Sequence, residues 1–229
     1  MTAIPAALVL EDIRLELAGH QLLGPLSLTV QPGEIVTLMG PSGCGKSSLL
    51  AYICGTLDPA ITASGRIALD GLDLGGLPPE LRGIGILFQD DLLFPRMTVG
   101  ENLAFALPID SGDRRERRQL IDSALEEAGL TGFAPRDPAT LSGGQRARVA
   151  LLRTLLSQPR ALLLDEPFNK LDLDLRSSFR ELVFGHARGR SLPTLLVTHD
   201  PADAGAGRVI PLPAAQMKSA LLPESPKGI

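Results

Sequence analysis

From Leu8 to Leu17 apolar and polar residues partly alternate, and Leu26-Ser27-Leu28-Thr29-Val30 alternates cleanly. A period of two marks strands with one buried face, here an antiparallel pair with Ala18-Gly19-His20-Gln21 as the turn and Pro32-Gly33 closing the second strand. Ile35 to Met39, Gly85 to Phe88, Ala161 to Asp165 and Thr194 to Thr198 are nearly continuous apolar runs, as expected of strands covered on both faces. Arg66 to Leu69 reads as a short strand ending in the hairpin signal Asp70-Gly71. The middle changes period: about Thr98 to Gln158 is helical, and Val149, Leu152 and Leu156 fall on one helix face. The charged run Asp113 to Arg118 belongs on the solvated face of a helix, and from about Pro211 no period survives.

A chain of 229 residues with 44% hydrophobic content suits one α/β domain carrying an inserted subdomain, or two small domains. The net charge of -4, with one Tyr and no Trp, argues against nucleic acid as a partner. Two cysteines, Cys44 and Cys54, are too few for a disulfide framework and point to a reducing compartment. No apolar run approaches the ~20 residues that span a bilayer. Thr2 to Leu10 has no Lys or Arg ahead of it, so it reads as the lead-in to a strand and not as a signal peptide.

The candidate chemistry begins at Gly40-Pro41-Ser42-Gly43-Cys44-Gly45-Lys46-Ser47, followed by Ser48, which fits G-x-x-x-x-G-K-[ST] between a strand and a helix. Glycines let successive backbone N–H groups converge on phosphate oxygens at a helix N-terminus. Lys46 is expected on the β- and γ-phosphates and the Ser47 hydroxyl on Mg²⁺, so the chain binds a nucleoside triphosphate. Cys44, beside Lys46 at a helix start, is expected to be a reactive thiol, and Cys54 an inert one. The strand Ala161 to Asp165 ends in two acids: Asp165 as a Mg²⁺ ligand, Glu166 as the base that polarises water toward the γ-phosphate. Leu141-Ser142-Gly143-Gly144-Gln145 opens another helix with a second anion-binding terminus. One nucleotide does not need two cradles on one chain, so the surplus suggests a site completed by a second copy.

In this order, the phosphate loop, Gln89, Leu141 to Gln145, Asp165-Glu166, Asp172 and His199 resemble an ABC transporter ATP-binding subunit over about residues 8 to 210. The resemblance implies a P-loop NTPase core with a mainly parallel sheet, an N-terminal antiparallel β subdomain and an inserted α-helical subdomain. Core and β subdomain would span about 1–88 and 159–210, the helical subdomain about 89–158 and a tail about 211–229. It makes Gln89 the sensor of Mg²⁺ and of the attacking water, and His199 the γ-phosphate contact. Ser142, Gly143, Gly144 and Gln145 would meet ATP held by the opposite subunit, with Asp172 in the loop between subunits. Two positions depart from the family: Leu17 stands where an aromatic ring usually stacks on adenine, and Asn169-Lys170-Leu171-Asp172 replaces the more usual Ser-Ala-Leu-Asp.

Together with Gln89-Asp90-Asp91-Leu92-Leu93-Phe94-Pro95, the loop is similar to those of bacterial uptake transporters for thiamine, iron, polyamine or sulfate. The implied assembly is an ATP-dependent homodimer on the cytoplasmic face of the inner membrane, with permease subunits and a periplasmic or extracellular substrate-binding protein. Leu92, Leu93 and Phe94 are expected to line a groove for a permease helix. The alternative assignments are a cassette for lipoprotein extrusion or cell-division signalling and, further off, a DNA-repair or translation ATPase.

Overall fold

The computed structural model describes residues 7–205 and 207–214. Two sheets divide the strands. The antiparallel sheet has the order β2-β1-β4-β5, from β1 (Leu8–Leu17), β2 (His20–Val30), β4 (Ile61–Leu69) and β5 (Leu72–Asp73). The second sheet has the order β6-β7-β8-β3-β9 and is parallel throughout, from β3 (Ile35–Met39), β6 (Ile84–Leu87), β7 (Ala161–Asp165), β8 (Thr194–Thr198) and β9 (Arg208–Pro211). The helices are α1 (Lys46–Cys54), α2 (Val99–Ala106), α3 (Arg114–Glu127), α4 (Gly143–Leu156) and α5 (Leu173–Gly189).

The pleat explains why the parallel strands are apolar at every position. Ala161 and Leu163 of β7, with Leu195 and Val197 of β8, face a core shared with α1 and the antiparallel sheet. Leu162, Leu164 and Leu196 point the other way, against Ala150, Leu151 and Leu155 of α4 and Phe179 and Val183 of α5. A third apolar cluster lies outside the sheets, where Val99 and Leu103 of α2, Ile121 and Leu125 of α3 and Val149 and Leu152 of α4 meet. Helix α4 therefore serves two cores, and the face read from Val149, Leu152 and Leu156 is the one turned to the helical cluster.

Local chemistry fixes the helix ends. Asp113, Thr98 and Ser142 each form a capping box with the glutamate or glutamine three residues on. The run Asp113 to Arg118 is largely solvated as expected, but Arg117 turns back to donate to Ala104 O at 2.9 Å and Pro108 O at 2.7 Å, closing the end of α2. Four strand limits differ from the sequence reading. Strand β4, read as a short strand from Arg66, begins at Ile61, because Ile61, Thr62 and Ala63 already pair with Leu17, Glu16 and Leu15. The turn between β1 and β2 is only Ala18-Gly19, because His20 and Gln21 already pair with Leu17 and Glu16. Strand β6 starts at Ile84 and stops before Phe88, which is exposed. Strand β9 runs to Pro211 because it pairs with β3, and Leu212 N–H donates to Met39 O at 2.6 Å. The remainder of the aperiodic segment, 215–229, lies outside the described residues, as does the start of the N-terminal lead-in, residues 1–6.

Candidate functional site

In the parallel sheet Met39 pairs with Thr198 and Asp165 with Val197, so β3, β7 and β8 end at one level. The residues that follow them, Gly40 to Ser48, Glu166 and His199, meet at that carboxyl edge, where open α/β sheets bind ligands. Gly43 and Gly45 adopt left-handed φ of 80° and 87°. A side chain on Gly45 would strike Leu22 and Leu23 at 3.1 Å, so both space and conformation demand glycine there. No side chain caps α1 at Gly45, which leaves its first N–H groups for an anion. The Lys46 ammonium is buried beneath the loop and donates to Gly40 O at 2.8 Å and Pro41 O at 2.9 Å.

Ser47 Oγ donates to Asp165 Oδ1 at 3.1 Å, bringing two candidate oxygen ligands together across 118 residues of sequence. Burial raises the Asp165 pKa above the usual carboxylate value, with the Glu166 charge adding to it; the Ser47 hydrogen bond and the Lys46 charge pull the other way. Among the described residues no group of three or more His, Cys, Asp or Glu could cage a metal. A hydroxyl and one carboxylate suit Mg²⁺, which takes one or two protein oxygens and fills its shell with water and phosphate.

Glu166 has a left-handed φ of 46°, a conformation that costs a non-glycine residue about 1–3 kcal/mol. Its N–H donates to Val197 O at 3.0 Å, tying that backbone to the neighbouring strand. Glu166 Oε1 lies 3.2 Å from His199 Nδ1 and 3.9 Å from Lys46 Nζ, and Oε2 accepts a hydrogen bond from Asn169 Nδ2. His199 is held from both sides. Thr198 Oγ1 donates to Asp203 Oδ2 at 2.7 Å and accepts from Asp200 N–H at 3.1 Å. Arg176 of α5 reaches Asp203 Oδ1 through Nε at 2.7 Å and Asp200 Oδ2 through NH2 at 2.8 Å. Sequence reading missed Asn169, Arg176 and Asp203 as site supports. Asn169 left a signal, as a departure in its loop; Arg176 and Asp203 left none, because no spacing joins them.

The other predicted residues stand apart from this cluster. Gln89, just past β6, borders a cleft with Gly143, Arg146 and Lys170. Ser142 caps α4, its Oγ accepting from Gln145 N–H at 3.3 Å while Gln145 Oε1 accepts from Ser142 N–H at 3.0 Å. Asp172 caps α5 by accepting from Leu175 N–H at 3.0 Å. No hydrogen bond or ion pair among the described residues joins Ser142 to Gln145 with the phosphate loop. One chain thus presents two separate glycine-rich helix starts.

A family profile described as "ABC transporter" matches residues 23–169, from β2 through the phosphate loop, α4 and the acids after β7. The chain belongs to the ABC transporter family. An "Uncharacterized ABC transporter ATP-binding protein YnjD" of Escherichia coli (strain K12) is 50% identical over 199 residues, covering 87% of this chain and 91% of that protein. The "Fe(3+) ions import ATP-binding protein FbpC" of Brucella abortus (strain 2308) is 40% identical over 205 residues, covering 89% of this chain and 57% of that protein. The cassette therefore spans nearly all of the first relative but little more than half of the second. Among solved structures, "Dimeric Structure of MJ0796, a Bacterial ABC Transporter Cassette" superposes with a TM-score of 0.77 at 30% identity, covering 90% of this chain and 94% of that one. A post-hydrolysis state of the same protein, bound to ADP and Pi, superposes equally well.

Within the cassette two expectations need correction. Cys44 is not an open thiol: it is only 2% exposed, and its Sγ sits where a side chain on Gly40 would come within 2.8 Å of it, with Leu212 alongside. Leu93 does not join Leu92 and Phe94 on the surface, since it packs between the sheet core and the helical cluster. Leu92, Phe94, Phe88 and Phe105 instead line an open groove of 590 Å³ with Arg153. Leu17, at the end of β1, is about one-third exposed beside its partners His20 and Ile61.

Proposed function

We propose that this ABC ATPase drives uptake through a separate membrane permease, hydrolysing ATP at two sites shared between two copies. The observation that carries the reading is Glu166 held between Lys46, His199 and Asn169, one residue from the Ser47–Asp165 pair. The loop N–H groups and Lys46 would bind the β- and γ-phosphates, and Ser142 to Gln145 of the second copy would close over the same nucleotide. Ser47 and Asp165 would hold Mg²⁺, with Gln89 as the sensor of the ion and the attacking water, and the ion would supply charge neutralisation of the phosphates. Glu166 then takes a proton from water as its oxygen attacks the γ-phosphorus, the β–γ bond breaks, and ADP and phosphate leave. His199, donating or charged, would offset the negative charge that collects on the γ-phosphate.

Uptake is supported by the relatives named as import proteins, for ferric iron and, putatively named, 2-aminoethylphosphonate. No helix among the described residues is long and apolar enough to cross a membrane, which fits a peripheral subunit. We assign residues about 89–158 to a helical subdomain, whose groove at Leu92, Phe94 and Phe105 would take a permease helix at the cytoplasmic face of the membrane. A substrate-binding protein would complete the system. Glu166→Gln tests the core of this reading. It keeps the side-chain shape and should bind ATP like the unaltered cassette, hydrolyse it about 10²–10⁴-fold more slowly, and sediment as a dimer with Mg-ATP. A monomer at micromolar concentration with saturating Mg-ATP would sink the shared site.

A further inference from the structure

Among the described residues, Asn169 is the one amide side chain that bonds to the Glu166 carboxylate. It donates from Nδ2 to Oε2, while Oε1 faces His199 and Lys46. Charge sets the orientation of the amide, because Oδ1 turned toward a carboxylate would repel it. Three features hold Asn169 in place. Its own N–H faces Glu166 O at 3.4 Å, closing a tight turn. The preceding Phe168 is fully buried, edge-on to Phe179 and Phe184 with centroids at 5.9 Å and 6.2 Å. The following Lys170 pairs with Asp90, next to Gln89.

We propose that Asn169 is a positioning residue for Glu166, fixing the carboxylate through Oε2 so that a lone pair of the base meets water at a set angle. The Lys170–Asp90 pair ties the same loop to the glutamine segment, so movement of that segment is passed to the base through Asn169. The proposal rests on Glu166 being the general base, and it names how that base is aimed. A hydrogen bond to a charged group holds geometry more firmly than a neutral one, and left-handed Glu166 has no regular structure to do so.

The experiment is steady-state ATPase kinetics on the full chain with Asn169→Ala, Asn169→Asp and Asn169→Ser, each in the unaltered and the Glu166→Gln background. Loss of one charge-assisted hydrogen bond predicts a kcat about 10- to 100-fold lower for Asn169→Ala, with KM for ATP within about twofold. Asn169→Asp, of the same size but with a second negative charge at Oε2, should lose more than Asn169→Ala. Asn169→Ser keeps a shorter donor and should recover part of the loss. In the Glu166→Gln background the three substitutions should change the residual rate by less than about twofold, because no carboxylate remains to be aimed. Equal loss in both backgrounds, a change confined to KM, or near-normal turnover in Asn169→Asp would overturn the proposal. Full turnover by Glu166→Gln alone would instead overturn the assignment of the base. Asn169→Ser guards against a loop collapse in the alanine variant, since a purely structural defect would also lower thermal stability and would not be relieved by a donor.

Discussion

Asp203→Ala is the sharpest probe of how His199 is held. The Asp203 carboxylate is fully buried, accepts from Arg176 Nε at 2.7 Å and from Thr198 Oγ1 at 2.7 Å, and lies 2.6 Å from Arg176 NH2. Burial works to lower the Arg176 pKa, but the hydrogen bond and charge of Asp203, with Asp200 behind it, outweigh burial and raise it above the usual arginine value. Removing one partner of such a pair costs about 3–5 kcal/mol, because the other charge is left in a poor solvent. Arg176 would keep Asp200 at 2.8 Å, so the lower end applies, about 3 kcal/mol. For a chain of this size each kcal/mol lowers Tm by about 2–4 °C, giving a fall of about 6–12 °C. Asp203→Asn keeps the shape and an acceptor and should fall between the two. The double variant Arg176→Met with Asp203→Leu, which leaves no buried charge, should recover much of the loss. Thermal unfolding followed by circular dichroism gives Tm, and ATPase rates below the transition show the effect on His199, expected as a several-fold fall in kcat. If Asp203→Ala melts within about 2 °C of the unaltered protein, Arg176 is satisfied without Asp203 and the clamp on His199 does not exist.

The two cysteines and the groove give the remaining tests. Burial pushes the Cys54 thiol up to about 11, against an opposing pull from Arg82, and Cys44 is covered, so neither should alkylate at pH 8 until the fold opens; mass spectrometry after timed alkylation reads this directly. The same shift has a stability consequence. The unfolded thiol loses its proton near its ordinary value while the folded one keeps it, so stability should fall by about 2 kcal/mol between pH 9 and 11, a loss that Cys54→Ala should remove in denaturant titrations. Phe94→Asp should leave soluble ATPase activity within about twofold and abolish co-purification with the permease; equal loss of both would make Phe94 a core residue.

The strands and the phosphate loop were legible because their signals are local. A short apolar run such as Ala161 to Leu164, bounded by Pro159 and by the acids Asp165 and Glu166, suits a strand covered on both sides, and glycine spacing around Lys46 carries its own chemistry. Parallel pairing then does the rest: once β3 and β8 share a register, Gly40 and His199 must emerge at one edge, whatever lies between them. What could not be read is contact between side chains whose separation has no period. Asp203 meets Arg176 across 27 residues, and Lys170 meets Asp90 across 80. Cys44 shows the opposite failure. Its local setting, at a helix start beside a lysine, argued for a reactive thiol, but the folded chain leaves it only 2% exposed. Exposure is set by tertiary packing, which the residues beside a thiol do not show. The same logic separates the two cradles. Helices α1 and α4 both begin with glycine-rich, anion-ready turns, yet α1 grows from the sheet edge while α4 straddles the sheet core and the helical cluster. A chain that builds both and, among the described residues, joins them by no hydrogen bond or ion pair fits the proposal that a second copy completes each site.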